Sequence, residues 1–135
     1  MIDSRSLVLL LGDVAVLVLF AVIGRRTHDE AIGLAAVGDV LTTAAPFVLA
    51  WVPLAVLLGA LRASNTASVT AMVARTAVAW VCALPVAILL RSLILGRPSA
   101  LVFYAVAAGT GLLMLLCWRT LFVLVERRRT FVAPS

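Results

Sequence analysis

The sequence from Leu7 to Gly24 is apolar throughout except for one carboxylate, Asp13, near its middle. A carboxylate in apolar surroundings is costly unless a cation or hydrogen-bond donors lie beside it, or unless it is protonated. Such a group can form a structural ion pair, or it can bind a proton, an ion or the cationic group of a ligand. Asp13 is therefore the first candidate for a functional residue.

The surroundings of Asp13 follow from the composition of the whole chain. Hydrophobic residues make up 64% of the 135 residues, and the mean hydropathy is +1.21. Charged residues make up 13%, which is too few to cover the surface of so apolar a domain in water. The composition predicts an integral membrane protein, with the lipid bilayer as its first partner and the plasma membrane as its location.

The distribution of charge argues against nucleic-acid binding. The net charge of +5 comes from eleven arginines, and the chain has no lysine. These arginines are dispersed at the ends of apolar stretches and do not form one basic face with interleaved aromatic residues. We therefore expect no nucleic-acid partner.

The sequence also lacks the usual signatures of catalysis. It has no nucleophile and base at a recognisable spacing, no metal-ligand spacing and no glycine-rich phosphate loop. Cys82 and Cys117 lie inside apolar stretches, so they are expected to be small buried residues. We expect no enzymatic activity, no catalytic residue, no metal and no cofactor.

Four apolar stretches are long enough to cross the hydrocarbon core of a bilayer as helices. The predicted spans are residues 7–24, 40–61, 71–95 and 100–125, with an interfacial lead-in to the second span at 31–38. The first span covers roughly 27 Å at about 1.5 Å per residue, and Asp39 delays the second because a carboxylate is better tolerated near the headgroups. The predicted fold is all-α: one transmembrane domain, a four-helix bundle of two hairpins.

Four spans place both termini on one side of the membrane, which we call the terminal face. Arginines flanking this face outnumber those on the opposite face by six to four. Because basic residues concentrate on the cytoplasmic side, the termini are predicted to be cytoplasmic. The terminal set is Arg5, Arg62, Arg75, Arg127, Arg128 and Arg129, and the opposite set is Arg25, Arg26, Arg91 and Arg97.

Depth in the membrane indicates which cation can meet Asp13. Asp13 and Arg119 each lie six residues from the same membrane boundary, which places both about 9 Å below it. Arg75 enters from the same face and is a second candidate, because a long side chain can extend inward. An Asp13–Arg119 pair could simply fix the register of two helices, or Asp13 could line a polar cavity that binds a proton, an ion or a ligand.

A second group of polar side chains gathers toward the opposite face. Its members are Arg25, His28, Asp29, Glu30, Asp39 and Arg91. Arg91 can reach the interface or pair with Asp39, and a histidine among mixed charges can titrate near neutral pH. The group is either a set of solvated loop residues or a site for a polar headgroup.

The second span contains a proline kink beside hydroxyl groups. Pro46 lacks an N–H and so frees the backbone carbonyl of Thr42. This carbonyl and the Thr42 side chain could coordinate an ion, or the kink could serve packing alone. Trp51 and Trp118 lie deeper than interfacial aromatic residues, so they are expected to pack in the core or to line a pocket wall.

The fourth span contains small residues one helical turn apart, Ala105 and Gly109. Small side chains allow two helix backbones to approach closely in a membrane. This face is expected to contact another helix, either within the protomer or in a second protein.

Short motifs run through nearly the whole chain. They are Asp13, FAVIGRRTH from Phe20 to His28, Pro46-Phe47 followed by Trp51, Arg91 before Gly96-Arg97, and Trp118-Arg119. In these motifs the sequence resembles the bacterial and archaeal membrane proteins catalogued as domain of unknown function 3054. The resemblance implies a compact multi-pass membrane protein in which these polar residues are important positions, and it implies no particular activity.

Two classes of function remain open at this point. The first is an accessory or structural subunit that packs through the Ala105/Gly109 face, in a larger membrane complex or a homo-oligomer; the small size and short loops favour it. The second is a homo-oligomeric transporter or binding protein for a small solute, an ion or a lipophilic ligand. In that case Asp13, Arg119 and the Pro46 kink would line the pathway.

Reporter fusions test the predicted topology. Reporters placed after Arg62 and at the C-terminus are both expected to be active in the cytoplasm, and a reporter placed after Arg97 is expected to lie on the other side. Measured reporter activities that put Arg62 and the C-terminus on opposite sides of the membrane would contradict the four-span architecture.

Overall fold

The computed structural model describes residues 3–26 and 33–132. Its four long helices are α1 (Ser4–Arg26), α2 (Leu34–Leu57), α3 (Val69–Leu95) and α4 (Leu101–Val132), and a short 3₁₀ helix, Ala63–Ala67, precedes α3. Each long helix is sufficiently long and apolar to cross a membrane, and residues 3–26 and 33–132 contain no β-strand. The prediction of an all-α four-helix membrane bundle is confirmed.

The helices form a closed ring. Each packs against the next along the chain, and α4 packs back against α1. Arg5 contacts Glu126, and Asp13 contacts Arg119, so α1 and α4 run in opposite directions. The start of α1 and the end of α4 therefore lie at the same end of the bundle, the terminal face, and the side chains that point into the ring come from all four helices.

Gly59 ends α2 earlier than the predicted residue 61. Its φ of 69° is left-handed, a conformation that glycine adopts without steric cost. The Gly59 N–H donates to the Val56 carbonyl (3.1 Å), and the Ala60 N–H donates to the Ala55 carbonyl (2.8 Å). These two bonds form a Schellman motif, which terminates a helix. Ala60 consequently lies outside α2 but remains buried.

The other helix ends also differ from the predicted bounds. Residues 34–38, predicted as an interfacial lead-in, form the first part of α2, whereas residues 31 and 32 lie outside the described residues. Asp39 does not interrupt this helix, because its carboxylate pairs with Arg25 of α1. α4 continues to Val132, past the predicted residue 125, and arginines near a helix C-terminus interact favourably with its dipole.

Two tryptophans pack on glycines of a neighbouring helix. The Trp118 indole lies against Gly12, and the Trp80 indole lies against Gly111, where a Cβ atom would overlap the ring in each case. The Trp118 N–H donates to the Leu9 carbonyl at 3.3 Å, and the Trp80 N–H similarly donates to a backbone carbonyl of α4 at 3.0 Å. The two glycines thus allow an indole to approach a neighbouring backbone closely while its polar atom is satisfied.

The outer surface of the ring is apolar. Large hydrophobic side chains such as Leu49, Val81 and Leu113 are exposed. Cys82 and Cys117 are exposed as well, so the prediction that they are buried is wrong. Apolar side chains pack as well against lipid tails as against protein, and an apolar helix therefore does not need to turn its cysteines inward.

A pair of glycine substitutions tests the contact between α3 and α4. Gly111→Ala is expected to lower the free energy of unfolding by about 1–3 kcal/mol relative to Gly109→Ala, because only the Gly111 Cβ meets the Trp80 ring. Both changes gain the same helix propensity, about 1 kcal/mol, so their difference isolates the overlap. Unfolding by sodium dodecyl sulfate in mixed micelles, followed by circular dichroism, measures it. Equal stabilisation by both substitutions would contradict the packing.

Candidate functional site

The centre of the candidate site is an ion pair between α1 and α4. Arg119 Nη2 lies 2.5 Å from Asp13 Oδ2, and Arg119 Nε donates to Asp13 Oδ1 at 3.0 Å. The two parallel hydrogen bonds make a bidentate contact, the strongest geometry between arginine and a carboxylate. Both side chains are 0% exposed. The Asp13–Arg119 pair predicted from matched depth is present.

Further hydrogen bonds complete a network that includes every long helix. Trp51 of α2 donates its indole N–H to Asp13 Oδ2 at 3.0 Å, and the Arg119 guanidinium lies 5.1 Å from the Trp51 ring. Arg119 Nη1 donates to Thr76 Oγ1 of α3 at 3.1 Å and to the Ala60 carbonyl at 2.9 Å. Among the described residues, no buried side-chain nitrogen or oxygen lacks a hydrogen-bond partner.

The network is enclosed on all sides. Asp13, Thr76 and Arg119 are each 0% exposed, so no water-sized space adjoins these side chains. The carboxylate already accepts three hydrogen bonds, and the guanidinium donates four. Chemically, the arrangement neutralises two buried charges and fixes the relative positions of the helices that carry them.

Several predicted site residues lie away from this network. Arg75 is exposed, because the next residue, Thr76, occupies the inward position of α3; the prediction that Arg75 could pair with Asp13 is wrong. Thr42 is also exposed, and its hydroxyl donates to the Gly38 carbonyl of its own helix at 2.8 Å. Pro46 is buried, so the proline and the exposed Thr42 hydroxyl face different surroundings and do not form one ion site.

Trp51 and Trp118 have different roles. Trp51 is a direct hydrogen-bond partner of Asp13, whereas Trp118 packs on Gly12 and bonds to the Leu9 backbone. Of the two, only Trp51 is fully buried. Trp118 instead forms part of the wall of an outward-facing groove between α1 and α4.

The polar group toward the opposite face divides into two separate contacts. Arg25 Nη1 lies 2.7 Å from Asp39 Oδ2 and joins α1 to α2. Arg91 donates to Ser99 Oγ at 3.1 Å and lies 4.2 Å from the centre of the Phe103 ring, so it braces the turn between α3 and α4. Of the two alternatives for Arg91, the pair with Asp39 is not formed, because Asp39 pairs with Arg25. His28, Asp29 and Glu30 lie outside the described residues.

The sequence model of a family described as a protein of unknown function (DUF3054) matches residues 10–122. The chain belongs to the DUF3054 family. No curated protein and no solved structure shows a significant match. The matched segment of this DUF3054 chain includes both members of the ion pair and their partners from α2 and α3.

Two members of the network were not predicted from the sequence. Thr76 and the Ala60 carbonyl both accept hydrogen bonds from Arg119. A threonine in an apolar span is not distinctive, because its hydroxyl can bond to its own helix, as Thr76 also does through Met72. The position of Ala60 outside the helix could have been predicted from Gly59, since glycine near the end of an apolar stretch is typical of a helix C-terminus.

Breaking the ion pair tests its contribution to the DUF3054 fold. Asp13→Asn leaves the Arg119 charge buried without a counter-charge, and we expect the free energy of unfolding to fall by about 3–5 kcal/mol. The double variant Asp13→Asn/Arg119→Gln removes both charges and is expected to recover part of that loss. Sodium dodecyl sulfate titration in mixed micelles measures both variants.

The Arg25–Asp39 pair, whose carboxylate is exposed, provides the matched control. The Asp39 side chain is 62% exposed, so Asp39→Asn is expected to change the free energy of unfolding by less than about 1 kcal/mol. If Asp13→Asn were as mild as Asp39→Asn, or if the double variant recovered none of the loss seen in Asp13→Asn, the buried network would not hold the bundle together.

Proposed function

We propose that this protein is an accessory or structural subunit of the plasma membrane, without enzymatic activity of its own. The observation that supports this most strongly is the fully enclosed, fully hydrogen-bonded state of Asp13 and Arg119. A transporter or ligand-binding protein that used Asp13 would need space beside the carboxylate for its cargo. Here that space is occupied by Trp51 and Arg119, so the carboxylate acts as part of the scaffold.

A candidate surface for a partner lies on the outer side of α4. Ala105 and Gly109 are exposed, and a Cβ at Gly109 would meet open space. The other small residue pair of this helix, Ala107 and Gly111, is buried within the bundle. Ala105 and Gly109 therefore leave a shallow site for a second transmembrane helix, from another subunit or another copy.

The proposal includes an orientation. Cytoplasmic termini place Arg127, Arg128 and Arg129 beside the inner leaflet, where basic residues are attracted to anionic headgroups. The partner helix would then cross the same bilayer along the Ala105/Gly109 face. Transport by a homo-oligomer is the alternative, and its pathway would have to run between copies because the interior of a single bundle is filled near Asp13.

Two bulky substitutions test the partner surface. Gly109→Trp is expected to lower the amount of partner that co-purifies in mild detergent about ten-fold or more, because overpacking a close contact costs about 1–3 kcal/mol. Leu49→Trp places the same ring on the exposed side of α2 and is expected to leave the complex unchanged. Native gel electrophoresis and mass spectrometry of the purified complex give the readout. Equal effects of the two variants would contradict the assigned surface.

Proteoliposomes distinguish the proposed function from transport. Vesicles that contain only this protein and trapped pyranine are expected to show no more proton influx than empty vesicles when valinomycin imposes a potential. Influx that depends on the wild-type protein and disappears in Asp13→Asn would overturn the scaffold role and favour the homo-oligomeric transporter.

A further inference from the structure

A groove runs between the outer sides of α1 and α4 at the terminal face. Its volume is about 390 Å³, within the range of pockets that hold small molecules. Apolar side chains, among them Val8, Trp118 and Leu121, form its deeper walls, and Arg5, Glu126 and Arg129 form its rim. The groove therefore changes from charged to apolar along its length.

The dimensions of the groove match one leaflet of a bilayer. Trp118 and Arg129 lie eleven residues apart on α4, which corresponds to about 16 Å along the helix axis. The hydrocarbon core is about 30 Å thick, so one leaflet contributes about half of that. Val8 and Leu121 are both more than half exposed, so the groove opens sideways to lipid. It is positioned to receive a chain that lies parallel to α4.

The rim carries an excess of positive charge. Arg5 Nε lies 3.1 Å from Glu126 Oε2, so the carboxylate of Glu126 is already neutralised by a partner. Arg129 adds a second positive charge to the groove rim, and Arg127 and Arg128 follow Glu126 on the same helical turn. An anionic group bound at the rim would therefore meet a net positive potential, and a zwitterionic headgroup would gain less from it.

We propose that this groove is a binding site for one anionic phospholipid. The lipid phosphate lies beside Arg129 and Arg5, and an acyl chain runs down the groove along Val8, Leu121 and Trp118. The arginines of the C-terminal turn are not equivalent in this site. Arg129 lines the groove, whereas Arg128 lies beside a separate cavity with Phe131. This site does not depend on the proposed accessory role.

The tryptophans provide a local reporter. Trp51 and Trp80 are 0% and 2% exposed, whereas Trp118 is partly exposed and forms the groove wall. Brominated acyl chains quench tryptophan fluorescence on contact, so quenching reports mainly on lipid beside Trp118. The experiment compares brominated phosphatidylglycerol in a phosphatidylcholine bilayer with brominated phosphatidylcholine in the same bilayer, at equal mole fractions.

We expect the brominated phosphatidylglycerol to quench Trp118 more strongly than the brominated phosphatidylcholine. Arg129→Gln is expected to lower this preference about five-fold, the effect of removing one basic residue near an anionic lipid. Arg128→Gln removes the same charge from the same helical turn, and because Arg128 does not line the groove, the preference is expected to remain close to that of the wild type.

Two outcomes would overturn the site. Equal quenching by the two lipids in the wild-type protein would mean that the groove does not select an anionic headgroup. Equal losses in Arg128→Gln and Arg129→Gln would mean that the preference comes from general attraction between the basic C-terminal turn and the membrane surface.

Discussion

The bidentate contact between Asp13 and Arg119 is the constraint on which the rest of the bundle depends. Neither charge is tolerable alone in an apolar interior, so each fixes the position of the other. Satisfying their remaining hydrogen-bonding atoms then requires a group from each of the two middle helices. Trp51 and Thr76 supply these groups. Apolar packing specifies helix register weakly in lipid, whereas this network accepts one arrangement of four helices.

The turn after α2 shows how backbone geometry serves the same network. Gly59 stops the helix, and the buried Ala60 carbonyl that follows accepts a hydrogen bond from Arg119. In a helix that continued through residue 61, the Ala60 carbonyl would have been aligned with the helix axis as one of its four terminal carbonyls. The early end of α2 therefore supplies one of the hydrogen bonds that hold the buried guanidinium of Arg119.

The sequence predicted the depths of residues in the membrane well and their directions around the helix axis poorly, for two different physical reasons. Depth follows from counting residues at about 1.5 Å each, which brought Asp13 and Arg119 to one level. Direction around the helix axis is normally read from an apolar stripe, but these helices are apolar on nearly every side. Cys82 was therefore expected to be buried, and Arg75 was considered as a second partner for Asp13, although both face outward. The four spans themselves required only length and hydropathy.

The two charges of the buried pair lie 106 positions apart in the sequence. During synthesis, α1 therefore emerges and enters the membrane long before its counter-charge has been translated. Until α4 arrives, the carboxylate of Asp13 must be accommodated by the insertion machinery, by water at the interface or by a bound proton. The last helix to be made, α4, thus supplies the counter-charge for Asp13 of the first helix. Chains truncated before α4 lack Arg119, the partner that makes α1 stable in lipid.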